Sequence, residues 1–176
     1  MSRVALIAFA VAALVALFLF RASRRLTGAE AGERMLEARF FGYGFDEAKE
    51  YLASLGPEKR KHYLKRVIPL DRLFAFCYGA LGLWYGFGLQ GALQRIGYQK
   101  LGWLALGGGL CFAIAAASDI QEGRALAKLI KAFPALDADD AAVATRATVV
   151  KWAAVMAGSA LLFFLSGVTL ISWMKG

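Results

Sequence analysis

Long apolar runs and polar stretches alternate along the chain. Four runs, 4–20, 69–93, 101–118 and 147–173, carry few or no charges; a long polar segment, 21–68, a brief link, 94–100, and a second polar segment, 119–146, separate them. A helix needs about 17–25 predominantly apolar residues to cross a bilayer, so each run has the length of a span. None alternates with period two, which excludes a membrane barrel and leaves helices, whose backbones satisfy their own polar groups in lipid. The predicted fold class is all-α: a four-helix transmembrane bundle forming one membrane domain, 1–176, with a helical cytoplasmic insert over 21–68 and a cytoplasmic loop over 119–146.

The insert carries helix signals. "TGAE" at 27–30 has the pattern of a capping box and predicts a helix over about 28–41, closed by "GYG" at 42–44. Asp46 can cap the next helix, which places Phe45, Ala48, Tyr51, Leu52 and Leu55 on one face before Gly56 and Pro57 end it. "PEKRKHYLKRVI" then sets five Lys and Arg beside Tyr63, Leu64, Val67 and Ile68. It reads either as a helix lying on the inner leaflet or as a solvated basic flank of a span. Pro69 is expected to push Ile68 out of helical geometry and to start the second span sharply.

Composition agrees with a bilayer as solvent: 59% of residues are hydrophobic, and the mean hydropathy is +0.53. Charge sets the orientation. The first run could be the core of a signal peptide, but Arg3 before it and "RASRR" after it predict a retained helix with its amino end outside. Four spans then put seventeen of the twenty-one Lys and Arg on the cytoplasmic side, as the positive-inside rule requires. All thirteen acidic residues fall there too, so the net charge of +8 reports topology and not nucleic-acid binding. Cys77 and Cys111 read as small buried thiols, and His62, the lone histidine, offers little to a metal or haem. No cofactor is implied.

The candidate chemistry gathers at the cytoplasmic ends of the spans. Asp71 falls in the first turn of the second span, where the helix dipole favours a carboxylate. Tyr78, Gly82 and Gly86 continue its face, and with Gly108 on the third span these glycines are candidate helix-packing positions. Asp119 and Glu122, three apart, share a face at the end of the third span, and Lys151 lies one turn inside the fourth. Three spans thus bring Asp71, Asp119 and Lys151 to one depth, with Glu122 and Arg146 just below. Such charges either pair to fix the register of the bundle or floor a cavity with Tyr78 as a wall. Lys151 and Arg72 could instead snorkel to the headgroups. A site there could move protons, hold Mg²⁺ with a phosphate substrate, or bind the polar head of a lipid-like ligand. The metal version lacks a second acidic motif and a phosphate cradle.

"GYGFDEAKEYLASLG", "HYLKRVIPLDRLFAFCY", "DIQEG" and "TVVKW", in that order, resemble a widespread group of small four-span bacterial membrane proteins. In that group a proline tends to precede the second-span tyrosine and an asparagine to follow the DxxE glutamate; here Ala75 stands in that vicinity and Gly123 follows Glu122. The resemblance implies a multi-pass protein of the bacterial inner membrane, both termini outside, and points to Asp71, Asp119, Glu122 and Lys151. Abundant packing chemistry and scant reaction chemistry favour a non-catalytic subunit or scaffold that associates with lipids and with a protein partner or a second copy. The alternative is an enzyme or binding protein for a lipid-like or isoprenoid molecule; transport is a third reading.

Overall fold

A computed structural model describes residues 3–26 and 35–175. Every regular element in it is helical: α1 (Arg3–Ser23), a single 3₁₀ turn (Leu36–Ala38), α2 (Phe45–Ser54), α3 (Pro57–His62), a π-helical turn (Tyr63–Val67), α4 (Ile68–Arg95), α5 (Gln99–Ala132) and α6 (Ala138–Lys175). Three stretches, Pro57–Arg95, Gln99–Ala132 and Ala138–Met174, are long and apolar enough to cross a membrane, and α1 adds a shorter apolar stretch, Phe9–Ser23.

The helices overrun the apolar runs that seed them. With 34 residues, α5 is about 50 Å long at 1.5 Å per residue, well over the roughly 30 Å of a hydrocarbon core. Residues 119–132 continue α5, and α6 begins at Ala138, so the predicted loop over 119–146 shrinks to a turn. The polarity that suggested a loop is the solvated side of two helices whose other side stays apolar. Asp137 ends the turn: its side chain accepts from Asp139 N–H at 2.9 Å, and its carbonyl accepts from Ala141 N–H at 3.2 Å.

Pro69 does not break the chain. Ile68 is helical (φ −56°, ψ −43°), and its N–H reaches back five residues to the Tyr63 carbonyl. A proline denies its own N–H to residue i−4 and crowds that carbonyl; the wider π turn beforehand absorbs both effects.

The insert departs from its expected start. Residues 27–30, with the capping pattern, lie outside the described residues, as does the first half of the predicted 28–41 helix. Within 35–41 the chain makes only the 3₁₀ turn. At α2 the N-cap is Gly44 and not Asp46; Glu47 Oε2 accepts from Gly44 N–H at 2.6 Å. Gly42 is at φ +76°, and a Cβ there would meet Thr145 Cγ2 at 2.6 Å, so the turn requires glycine.

Two apolar cores mark the two ends of the long helices. At the polar end Ala48, Tyr51, Leu52 and Leu55 of α2 pack with Leu36, Tyr63, Val67, Leu126, Leu129 and Ala144. Tyr63 and Val67 have no exposed surface, so the basic helix turns its apolar side into the protein and not toward lipid. Arg60 donates to the Leu52 carbonyl at 2.8 Å and also to the Leu55 carbonyl, closing the end of α2, and lies 4.2 Å from the Phe133 ring centroid. At the other end Leu89, Leu93, Ala105, Leu162 and Leu165 form the smaller core. Between them α4 and α5 touch through small residues. A Cβ on Gly82 would run into Phe112 Cβ, and one on Gly86 would meet the Ala105 carbonyl and Gly109 Cα, each at 2.9 Å. Gly108 sits in the same way against Leu162, at 3.0 Å. The candidate packing glycines hold this chain's own helices together.

Candidate functional site

The site forms where α4, α5 and α6 meet the insert. Asp119 and Glu122, one turn apart on α5, face Lys151 on α6. Lys151 Nζ donates to Asp119 Oδ1 at 2.9 Å, to Glu122 Oε2 at 2.6 Å and to the Glu37 carbonyl at 3.2 Å, using all three ammonium protons. The second oxygen of each carboxylate is also engaged. Thr148, one turn before Lys151, donates to Glu122 Oε1 at 2.5 Å, and Tyr78 of α4 donates to Asp119 Oδ2 at 3.1 Å. Asp119, Glu122 and Lys151 are 4%, 1% and 6% exposed, so neither anion nor cation relies on water. Burial at that level requires this degree of satisfaction, because a charge left alone there costs several kcal/mol.

The insert closes the network from below. Besides receiving Lys151, the Glu37 carbonyl accepts from Trp152 Nε1–H at 3.3 Å, and Phe40 stacks on the Trp152 ring with centroids 4.2 Å apart. The Glu37 carboxylate accepts from the Tyr63 hydroxyl. Burial, reinforced by the charge of Glu122, pushes the Glu37 carboxyl up to about 7, against the opposing pull of Tyr63 and Lys151. Burial and then Glu122 also drive the Tyr43 phenol up.

Asp71 differs from its neighbours. Among the described residues it makes no hydrogen bond or ion pair, yet it lies within electrostatic reach of Asp119 and Glu37. It borders a cavity of about 410 Å³. Tyr78, Asp119, Lys151 and Glu37 form the polar side of that cavity with Asp71, while Leu19, Phe74, Phe112, Trp152 and Val155 supply apolar and aromatic walls. The volume suits a small headgroup with the beginning of a chain.

Four of the five candidate ligand-binding residues, Tyr78, Asp119, Glu122 and Lys151, join in one bonded cluster, and Asp71 faces the same space unbonded. One expected member, Arg146, lies elsewhere. Arg146 is exposed beside Ser118 and Gln121 in a separate shallow cleft, because it leaves α6 on the side away from α5's acids. Arg72, which could have reached for the headgroups, donates from Nη2 to the Gly123 carbonyl at 3.1 Å. Sequence reasoning missed Glu37, Thr148 and Trp152. Thr148 stands three residues before Lys151 and so shares its face, a readable signal; Glu37 is placed by an irregular segment with none. The Lys151 ammonium fills the point between Asp119 and Glu122 where a metal ion would have to sit. Cys77 and Cys111 are thiols.

Comparison of the chain with protein-family models, curated proteins and solved structures gives no match.

Proposed function

We propose that the chain is a four-span protein of the bacterial inner membrane and that its cavity binds the head of a lipid-like or isoprenoid molecule. Both termini lie outside and the insert faces the cytoplasm. Support for the topology comes from the three long apolar helices, from α1 as a fourth crossing, and from the Lys and Arg concentrated at one end. The observation that carries the binding reading is Asp71, a carboxylate with no hydrogen-bond or ion-pair partner among the described residues, on the edge of a mostly apolar cavity. Every other acid in the cluster is neutralised or hydrogen-bonded, so Asp71 has no structural task of the kind they perform. With Lys151 already saturated, the free capacity of the site is that of an acceptor. The favoured head is one that donates hydrogen bonds or carries positive charge, against the aromatic faces of Phe74 and Trp152.

The test is binding of three fluorescent amphiphiles, a long-chain alkylammonium, an isoprenoid alcohol and a fatty acid, to purified protein in neutral detergent. The alkylammonium or the alcohol is expected to bind, Asp71→Asn to weaken binding about tenfold, and Val155→Trp, which fills the cavity, to abolish it. Failure of both donors to bind, or binding of the fatty acid alone, removes this reading.

The scaffold reading keeps one observation of its own. Phe163 and Phe164, 85% and 64% exposed, leave apolar surface on α6 that either lipid or another helix would cover. The glycines that seemed to serve association are consumed within the chain, so the cavity is the better-supported functional element.

A further inference from the structure

A second concavity lies beyond α1, away from the acidic cavity. It has a volume of about 320 Å³ and is bounded by Phe18 and Arg21 of α1, Arg25 just after it, His62 of α3, Arg66 of the π turn and Leu70 of α4. Arg21 and Arg25, four residues apart, leave the same side of the end of α1. His62 fixes the other wall: its Nε2 lies 3.0 Å from the Ala22 carbonyl, which ties α3 to α1 and sets the width of the cleft. Among the described residues none of the three arginines has a carboxylate partner; the ion pairs found are Arg39–Glu47, Lys128–Asp140 and the two made by Lys151. Phe18 and Leu70 stand on the side of the long helices, and the cations stand at their ends. The cleft is therefore polarised along the helix axis, cationic at the bottom and apolar above.

From this arrangement we infer a specific site for one anionic phospholipid of the surrounding leaflet, its phosphate held by Arg21, Arg25 and Arg66 and the start of its acyl chain lying on Phe18 and Leu70. Guanidinium groups suit the task because their planar forks meet phosphate oxygens two at a time. The order of charge and grease matches that of a lipid, with head at the helix end and chain along the helix flank. A soluble phosphate would use the cations and leave the apolar side of the cleft idle. The inference is independent of what the acidic cavity binds.

Native mass spectrometry of the full chain, released from neutral detergent with phosphatidylglycerol or phosphatidylcholine added, reads the site directly. One retained phosphatidylglycerol per chain is expected, preferred over phosphatidylcholine by about a hundredfold, with each arginine contributing a similar share. The triple variant R21Q/R25Q/R66Q is expected to lose the preference. The triple variant K49Q/R124Q/K131Q, which removes the same charge from positions that do not line the cleft, is expected to keep it. L70W fills the cleft without altering charge and is expected to lose the adduct, which covers the case in which the arginine variant does not fold. Equal losses in both triple variants would mean diffuse attraction and overturn the site. Displacement of the lipid by excess inorganic phosphate would assign the cations to a soluble anion and overturn it as well.

Discussion

The acidic cavity and the basic cleft are separated by little more than the seam between α1 and α4. Leu19 and Asp71 line the first, and their sequence neighbours Phe18 and Leu70 line the second. They handle charge in opposite ways. In the cavity, side chains from three helices and the insert pair with or hydrogen-bond one another, and among the described residues Asp71 alone of its acids is left unbonded. In the cleft, three exposed guanidinium groups have no anionic partner among the described residues. An unpaired charge at a surface costs little, since water or headgroups solvate it, whereas a carboxyl group left unbonded beside buried charges has no such relief. The difference separates a cluster that holds the fold together from the two places, Asp71 and the arginines, where the protein keeps capacity for something outside itself.

The sharpest way to break that comparison is to remove the one cation of the cavity. Lys151→Met strands Asp119 and Glu122 in a buried site and is expected to cost about 3–5 kcal/mol in detergent unfolding. Adding Asp119→Asn and Glu122→Gln should recover much of that loss; no recovery would show that packing and not charge is at stake. Gly82→Ala, next in size, drives a methyl into Phe112 and should cost about 1–3 kcal/mol, measured in the same way.

A smaller effect follows pH. Because burial and Glu122 raise the folded-state pKa of Glu37 to about 7 from an ordinary 4.5, the folded protein holds that proton more tightly than the unfolded chain does. Its contribution is present in full below about 4.5 and fades as pH rises through about 7, so the unfolding temperature should fall across this window. Glu37→Gln should flatten the profile, and an unchanged slope would remove Glu37 as its source. Asp71→Asn is expected to have the smallest effect on stability, within about 1 kcal/mol, although under the proposed function it should weaken binding. A loss as large as that of Lys151→Met would place Asp71 among the structural charges and erase the contrast.

Much of the helical fold was legible. Runs of apolar residues located three long helices, and spacing within them placed Asp119, Glu122 and Lys151 face to face, because a helix's period fixes which residues share a side. What spacing could not supply was where a helix stops. Polar residues at 119–132 resembled a loop although Leu126, Leu129 and Ile130 keep one side apolar. The role of Glu37 was illegible for another reason: it sits in a turn with no period, held by tertiary contacts to Tyr63, Lys151 and Trp152. Proline misled at Ile68, since its preference concerns a uniform α-helix, and the chain widened its helix instead.

That widening decides where Asp71 looks. Eight residues separate Tyr63 from Asp71, and in an unbroken α-helix of 3.6 residues per turn they would differ in azimuth by about 80°. One extra residue in the π turn subtracts about 100° and leaves them about 20° apart, both turned toward Glu37 and the space beside it. Excising a single residue between 63 and 67 would thus keep the carboxylate's bearing in a plain α-helix, whereas straightening the turn at full length would act as a rotary dial and swing it by about 100°.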